Sequence, residues 1–294
     1  MRKKYFYYYI ICITLINYGA DPEKVFAQSV RNEYLIKIEE VISGLTGHTE
    51  VKNNIRLPDR STAENKKIAA DYLFNILKET GLNPERQEYR SGAENIYAVL
   101  RSTIPSDEFV IIGAHYDTVP NSPGANDNAS GIAFVYGAAL RLIEFDERSL
   151  NFIFVFFDEE ERGLRGSSAF AQKMQDDGLS IHSVHTIDQF GWDGDGDKAI
   201  ELELPYDGIV DVYRQVLEEE DLDVPLHISD VPATDHTAFR RLGYNAVGIT
   251  EEYKNGDTTP HYHRPSDTYD TIDFEYLEFG IDVFVKVLIR ILGK

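Results

Sequence analysis

Histidine and carboxylate side chains recur in this chain where apolar runs end, and together they could hold a divalent cation for hydrolysis. The run at 109–112 is short and unbroken, as in a strand buried on both faces of a parallel sheet. It leads into His115, Tyr116 and Asp117. Residues two apart in a strand share a face, so the Asp117 carboxylate can fix the His115 ring while the other ring nitrogen is left for a metal. Asp127 follows a loop of Pro, Asn and Gly and stands before an Ala/Gly-rich helical stretch, on the same edge of the sheet. A still more apolar run, 151–157, ends directly in Asp158, Glu159, Glu160 and Glu161. Carboxylates packed at a buried strand end repel one another, and a bound cation offsets that repulsion. Asp188 ends the next apolar strand in the same way, and His263 lies in a late loop. Asp, Glu and His without Cys suit a hydrolytic zinc or other divalent site with an open position. Taken singly, these residues have plainer readings: His115 closes a strand, Asp127 caps a helix, and the acidic run turns out into water.

The elements that must position them alternate. Helical periodicity marks 29–42, and Ser61 with Glu64 forms a capping-box pattern that opens an amphipathic helix ending at Gly81. Strands are expected at 95–101 and 109–114, then a helix over 128–144 whose sheet-facing positions, Ala129, Gly131, Ala133, Gly137 and Ala138, are small. The run 151–157 is the expected central strand. A helix at 167–176, strands at 182–188 and 199–204, a helix at 208–220, a strand at 224–228, a short helix at 235–241, a strand at 245–250 and a long amphipathic helix at 273–292 complete the pattern. This alternation predicts an α/β fold with a mixed, largely parallel central sheet and helices on both faces.

A net charge of -21 and a pI near 4.7 argue against nucleic acid as a partner, because phosphate backbones are held by clustered Lys and Arg. Arg2, Lys3 and Lys4 precede an apolar stretch at 5–16 that is short for a membrane span, and 1–27 reads as a signal peptide. A retained anchor is the other reading of that stretch. On the first, the mature protein is secreted or periplasmic, without stable membrane insertion, and 28–294 is one domain. Cys12 is the only cysteine and lies in the leader, so thiolate chemistry and disulfides are excluded from the remainder. The aspartates 193, 195 and 197 resemble the start of a calcium loop, but Lys198 and Leu204 occupy the positions that need Gly and Glu, so a surface turn is expected and a calcium ion there stays open. Neither H-E-x-x-H nor G-x-S-x-G occurs.

Five segments resemble, in order, the motifs of the M28 co-catalytic zinc aminopeptidases: Gly113 to Asp117, Gly124 to Gly131, Glu160 to Ser167, Ile187-Asp188, and His263 through Thr268. The resemblance implies a zinc-exopeptidase, phosphorylase/hydrolase-like α/β/α sandwich. It also implies two Zn2+ ions, with Co2+ or Mn2+ as substitutes, and a peptide substrate with a free N-terminus. By this resemblance His115 and Asp188 hold one zinc, Glu161 and His263 the other, and Asp127 bridges both. Glu160 is then the general base and Asp117 the partner of His115. The family's paired glutamates stand one residue before Gly-Leu, which selects Glu160/Glu161 over Glu159/Glu160. The segment Thr234-Asp235-His236 resembles one lining the family's substrate pocket, and His236, Tyr253 and Tyr262 are the candidate pocket residues, with Phe190 and Trp192 as further wall candidates. Two alternatives remain: a glutaminyl cyclase-like acyltransferase on the same fold, and a catalytically inactive binding protein on this scaffold. Against the cyclase, the residue before the late histidine is Tyr262 where cyclases carry Trp.

Overall fold

The computed structural model describes residues 22–293 apart from 53 and 255, in two units that divide between Ile38 and Glu39. Through residue 21, the expected leader lies outside the described residues. Helix α1 runs Pro22–Leu45, and no described helix is long and apolar enough to cross a membrane.

In the second unit, eight strands form one sheet in the order β1-β2-β4-β3-β5-β8-β6-β7. Strands β3 (Glu108–His115), β4 (Asn151–Phe157), β5 (Ser180–Ile187) and β8 (Ala246–Thr250) are neighbours and mutually parallel. Strand β4, NFIFVFF, is buried at every position, as a strand covered on both faces must be. The remaining strands flank this block: β1 (Pro84–Arg90) and β2 (Ala93–Leu100) are antiparallel on the β4 side. On the other side β6 (Ile200–Glu203) is antiparallel to β8 and parallel to β7 (Leu226–Ser229). Ile111, Ile153, Val155, Phe157, Phe170, Val184 and Phe239 pack into one apolar cluster against the sheet. The mixed, largely parallel sheet is thus the expected one.

The helices are α2 (Ala63–Glu79), α3 (Gly131–Ile143), α4 (Arg165–Asp176), α5 (Ile209–Glu219), α6 (His236–Arg240) and α7 (Phe274–Leu292). Two local expectations are corrected. Thr62, not Ser61, caps α2, accepting from the Asn65 N–H, while the Ser61 hydroxyl donates to Asp59. The helix expected over 128–144 begins only at Gly131, and Asp127 sits at φ -108°, ψ 90° in an irregular turn, Ala125–Ser130, ahead of it. Strand β1 has no counterpart among the expected elements. The four parallel strands place their carboxyl ends side by side, which fixes where the chemistry of this chain must gather.

Candidate metal centre

Each ligand candidate follows a strand end or a loop that returns to that edge. His115 ends β3, Glu160 and Glu161 follow β4 in a short 3-10 turn (Glu160–Arg162), and Asp188 follows β5. The peptide bonds Asp127-Asn128 and Asp188-Gln189 are cis. His115 Nε2 lies 3.3 Å from Asp127 Oδ1 and 3.5 Å from Asp188 Oδ1. His263 Nε2 lies 3.1 Å from Asp127 Oδ2 and 3.1 Å from Glu161 Oε1. Asp127 therefore turns one oxygen to each imidazole, and the residues form two triads, His115/Asp127/Asp188 and Asp127/Glu161/His263.

The donor set accommodates a pair of divalent cations. A tetrahedral site with bonds of about 2.0–2.1 Å has ligand-to-ligand edges of about 3.3 Å, and the four separations between imidazole nitrogen and carboxylate oxygen bracket that value. Charge makes the same demand. Burial pushes the Glu160 carboxyl up to about 10, opposed by His115 and reinforced by Asp188, Asp235 and Glu161. Glu161 rises to about 7 through burial and the nearby Asp127 charge, and burial also raises Asp188. Asp127, despite its burial, is held below the usual carboxylate range by the two imidazoles. Both imidazoles are raised in turn: His115 by Asp188, Asp117 and Asp127 against a strong burial penalty, and His263 chiefly by its hydrogen bond to Asp127. Acidic groups outweigh cations here, and positive charge placed between them would relieve the imbalance.

The surroundings fix these groups. His115 Nδ1 is 3.1 Å from the Asp117 carbonyl oxygen and 3.6 Å from its carboxylate, so the carbonyl is the nearer partner. The Asp117 carboxylate accepts instead from the Glu160 N–H at 2.9 Å, joining the β3 and β4 ends. Glu159 turns away from the triads: Lys66 at 3.0 Å and Arg90, at 2.9 Å through Nε, bind its carboxylate. Glu160 and Glu161 are accordingly the pair turned toward the cluster.

Three residues that sequence reasoning assigned no role hold the loops. Asp267 accepts from the N–H groups of Asn126 at 2.8 Å and Asp127 at 3.1 Å. Arg60, fully buried, donates to the carbonyls of Tyr116, Leu45, Pro123 and Gly124 at 2.5–2.9 Å. Glu251 binds Asn126 and the Gly191 and Trp192 amides. Asp267 falls inside the segment from His263 to Thr268, and Glu251 carries a signal of its own, a charge directly after an apolar strand.

The pocket candidates divide. Tyr262 is 48% exposed and stacks on His263 with centroids 3.8 Å apart; burial and the charges of Asp127, Asp188, Glu161 and Glu160 raise its hydroxyl. Tyr253 hydrogen-bonds Ser229 at 3.0 Å, at the end of β7. His236 has no exposed surface; its Nδ1 meets Thr234 Oγ1 at 2.8 Å, and burial lowers it to about 4. Phe190 is core rather than wall, stacked on Tyr276 with centroids 4.5 Å apart.

The family model of peptidase family M28 matches residues 95–287, a stretch that contains every one of these ligand candidates. The chain belongs to peptidase family M28. Among relatives of this M28 chain, the aminopeptidase YwaD of Bacillus subtilis (strain 168) is 28% identical over 212 residues, covering 69% of this chain and 45% of its own. The chain spans about half the length of the curated relatives it matches. Two solved structures share the M28 fold. The Legionella pneumophila LapA aminopeptidase superposes with a TM-score of 0.74 at 19% identity, over 90% of this chain and 75% of that one. A glutaminyl cyclase from Porphyromonas gingivalis gives 0.69 at 17% identity, over 87% and 98%.

Proposed function

We propose that the protein is a metal-dependent aminopeptidase that removes N-terminal residues from peptides, using two zinc ions, with cobalt or manganese as substitutes of similar donor preference. The observation that carries this reading is Asp127, whose two carboxylate oxygens face one imidazole each. The aminopeptidase names of YwaD and LapA support the same class. His115, Asp127 and Asp188 would hold one ion, and Asp127, Glu161 and His263 the other. When bound, such a pair polarises the scissile carbonyl and lowers the pKa of a water. Glu160 belongs to neither triad and serves as the base, taking a proton from the attacking water and passing it to the leaving amine. Its backbone is held by Asp117, which also faces the His115 ring, so one carboxylate aligns the base with a ligand. The surrounding acidic groups favour a substrate's terminal ammonium, which limits cleavage to the first residue. Tyr262 forms an exposed wall beside His263, while Tyr253 and His236 shape the pocket from deeper positions. The basic and apolar N-terminal stretch supports export, with 1–27 as leader and 28–294 as the peptidase domain.

The test is a panel of aminoacyl-p-nitroanilides given to the full chain with and without chelator. The expected result is nitroaniline release that chelator abolishes and added zinc restores. Cyclisation of an N-terminal glutaminyl peptide without nitroanilide hydrolysis would overturn the reading in favour of a cyclase. Glu160→Ala is expected to keep both ions and lose roughly 10²–10⁴-fold in turnover. Unaltered turnover would remove Glu160 from the role of base.

A further inference from the structure

We infer that Glu251 is a positioning residue that ties the loop carrying Asp127 to the loop carrying Asp188 and so sets the spacing of the His115/Asp127/Asp188 triad. The inference rests on the reading of the site as a paired metal centre. Glu251 directly follows β8 and is 2% exposed. Both of its carboxylate oxygens are used. Oε1 accepts from Asn126 Nδ2 at 2.7 Å, on the residue before Asp127. Oε2 accepts from the N–H groups of Gly191 at 2.9 Å and Trp192 at 2.8 Å, in the segment that continues from Asp188. The Glu251 N–H itself donates to the Gln189 carbonyl at 2.9 Å.

The two loops lie in direct apposition: a Cβ on Gly191 would stand 2.7 Å from Asn126 Oδ1. After Asp127 the same segments are joined by Asn128 Nδ2 to the Ile187 carbonyl at 2.8 Å and by the Phe190 N–H to Ser130 Oγ at 2.9 Å. Before Asp127 the join is made by Glu251. Asp267 holds this part of the turn from the other side, through the Asn126 and Asp127 N–H groups, and makes no link to the Asp188 segment among the described hydrogen bonds. Without Glu251, therefore, the Asp127 turn keeps its anchor but loses its registration against Asp188. Only one triad contains both aspartates, so the effect is selective between the two metal positions.

Zinc titration calorimetry on the chelator-stripped full chain tests this, with near-ultraviolet circular dichroism to show that each variant is folded. Glu251→Ala is expected to weaken one of two zinc sites by about 10–100-fold, the scale on which groups behind metal ligands act, and the other by about threefold or less. Glu251→Gln is expected to restore binding to within about threefold of wild type. Its carbonyl oxygen can still accept from Gly191 and Trp192, and its amide can donate to Asn126 Oδ1, which has no hydrogen-bond partner, once the Asn126 amide turns over. Should Glu251→Ala fail to fold, Glu251→Asp takes its place: the charge is kept, the reach is one methylene shorter, and the same selective loss is expected. Two sites of wild-type affinity in the Ala or Asp variant, equal weakening of both sites, or a Gln variant no better than Ala would overturn the inference. Wild-type protein that binds fewer than two ions overturns the metal-centre reading and the inference with it, and that failure is visible before any substitution is made.

Discussion

Arg60 carries a guanidinium with no exposed surface whose donors end on backbone carbonyls, three of them between His115 and Asp127 and the fourth, Leu45, at the end of α1. Burial lowers it to about 10 while the charges of Asp267, Asp127 and Asp117 sustain it, so it is at once a brace and the counter-charge behind the triads. Removing it strands several buried carbonyls and leaves the aspartates uncompensated. Arg60→Ala is therefore expected to lose roughly 3–5 kcal/mol in urea unfolding. Arg60→Lys should recover only part of that loss, because a point ammonium cannot reproduce the planar fork. A Lys variant as stable as wild type, or an Ala variant within about 1 kcal/mol of it, would contradict this role. At this scale the sequence named the residues that come together at the site and hid their supports. His115, Glu161 and Asp188 stand where chemistry-bearing residue types end apolar runs, and Asp127 stands in a Gly/Asn loop, a pattern visible in one dimension, whereas His263 lies in a polar late loop and was singled out by the order of the motifs. Arg60 lies in a Pro-Asp-Arg loop that reads as any solvated turn, and only the fold shows that it is buried.

The central elements were legible for the same reason that they are stable. Runs such as β3 and β4 are apolar at nearly every position because both faces are covered, and their lengths exclude a long helix. Strand β1, PERQEYR, was not legible: it is an edge strand with no fully buried residue, held by pairing with β2, so it carries no apolar run to detect. The start of α3 was placed too early because the small-residue stretch already begins at Ala129, whereas the turn at 125–130 is irregular, with its backbone held by Asp267 and the Asp127 carboxylate facing the two imidazoles. Element packing also yields a test. A Cβ at Gly280 of α7 would come within 2.2 Å of the buried Phe190 ring, in the segment that follows Asp188. Gly280→Ala gains up to about 1 kcal/mol of helix propensity, but overpacking a dense core costs about 1–3 kcal/mol. The expected outcome is a net loss in chemical denaturation. A stabilised variant would mean that the Phe190 shelf yields freely.

Across the molecule, four adjacent parallel strands with aligned carboxyl ends convert residues far apart in sequence into one site. The order of the motifs was enough to anticipate both the fold and the set of groups that meet there. It could not supply the spacing between those groups, because that is set by long-range hydrogen bonds from Arg60, Asp267 and Glu251 that have no periodic signature. Part of the chain's large negative charge gathers at this edge, where neighbouring carboxylates raise one another and bound cations would relieve the excess. Zinc binding by wild type and Asp127→Ala, measured side by side by calorimetry, tests the shared carboxylate most directly. The expected result is two ions per wild-type chain and weakened binding at both positions in the variant. One ion in the wild type, or a variant that still binds two with unchanged affinity, would contradict it.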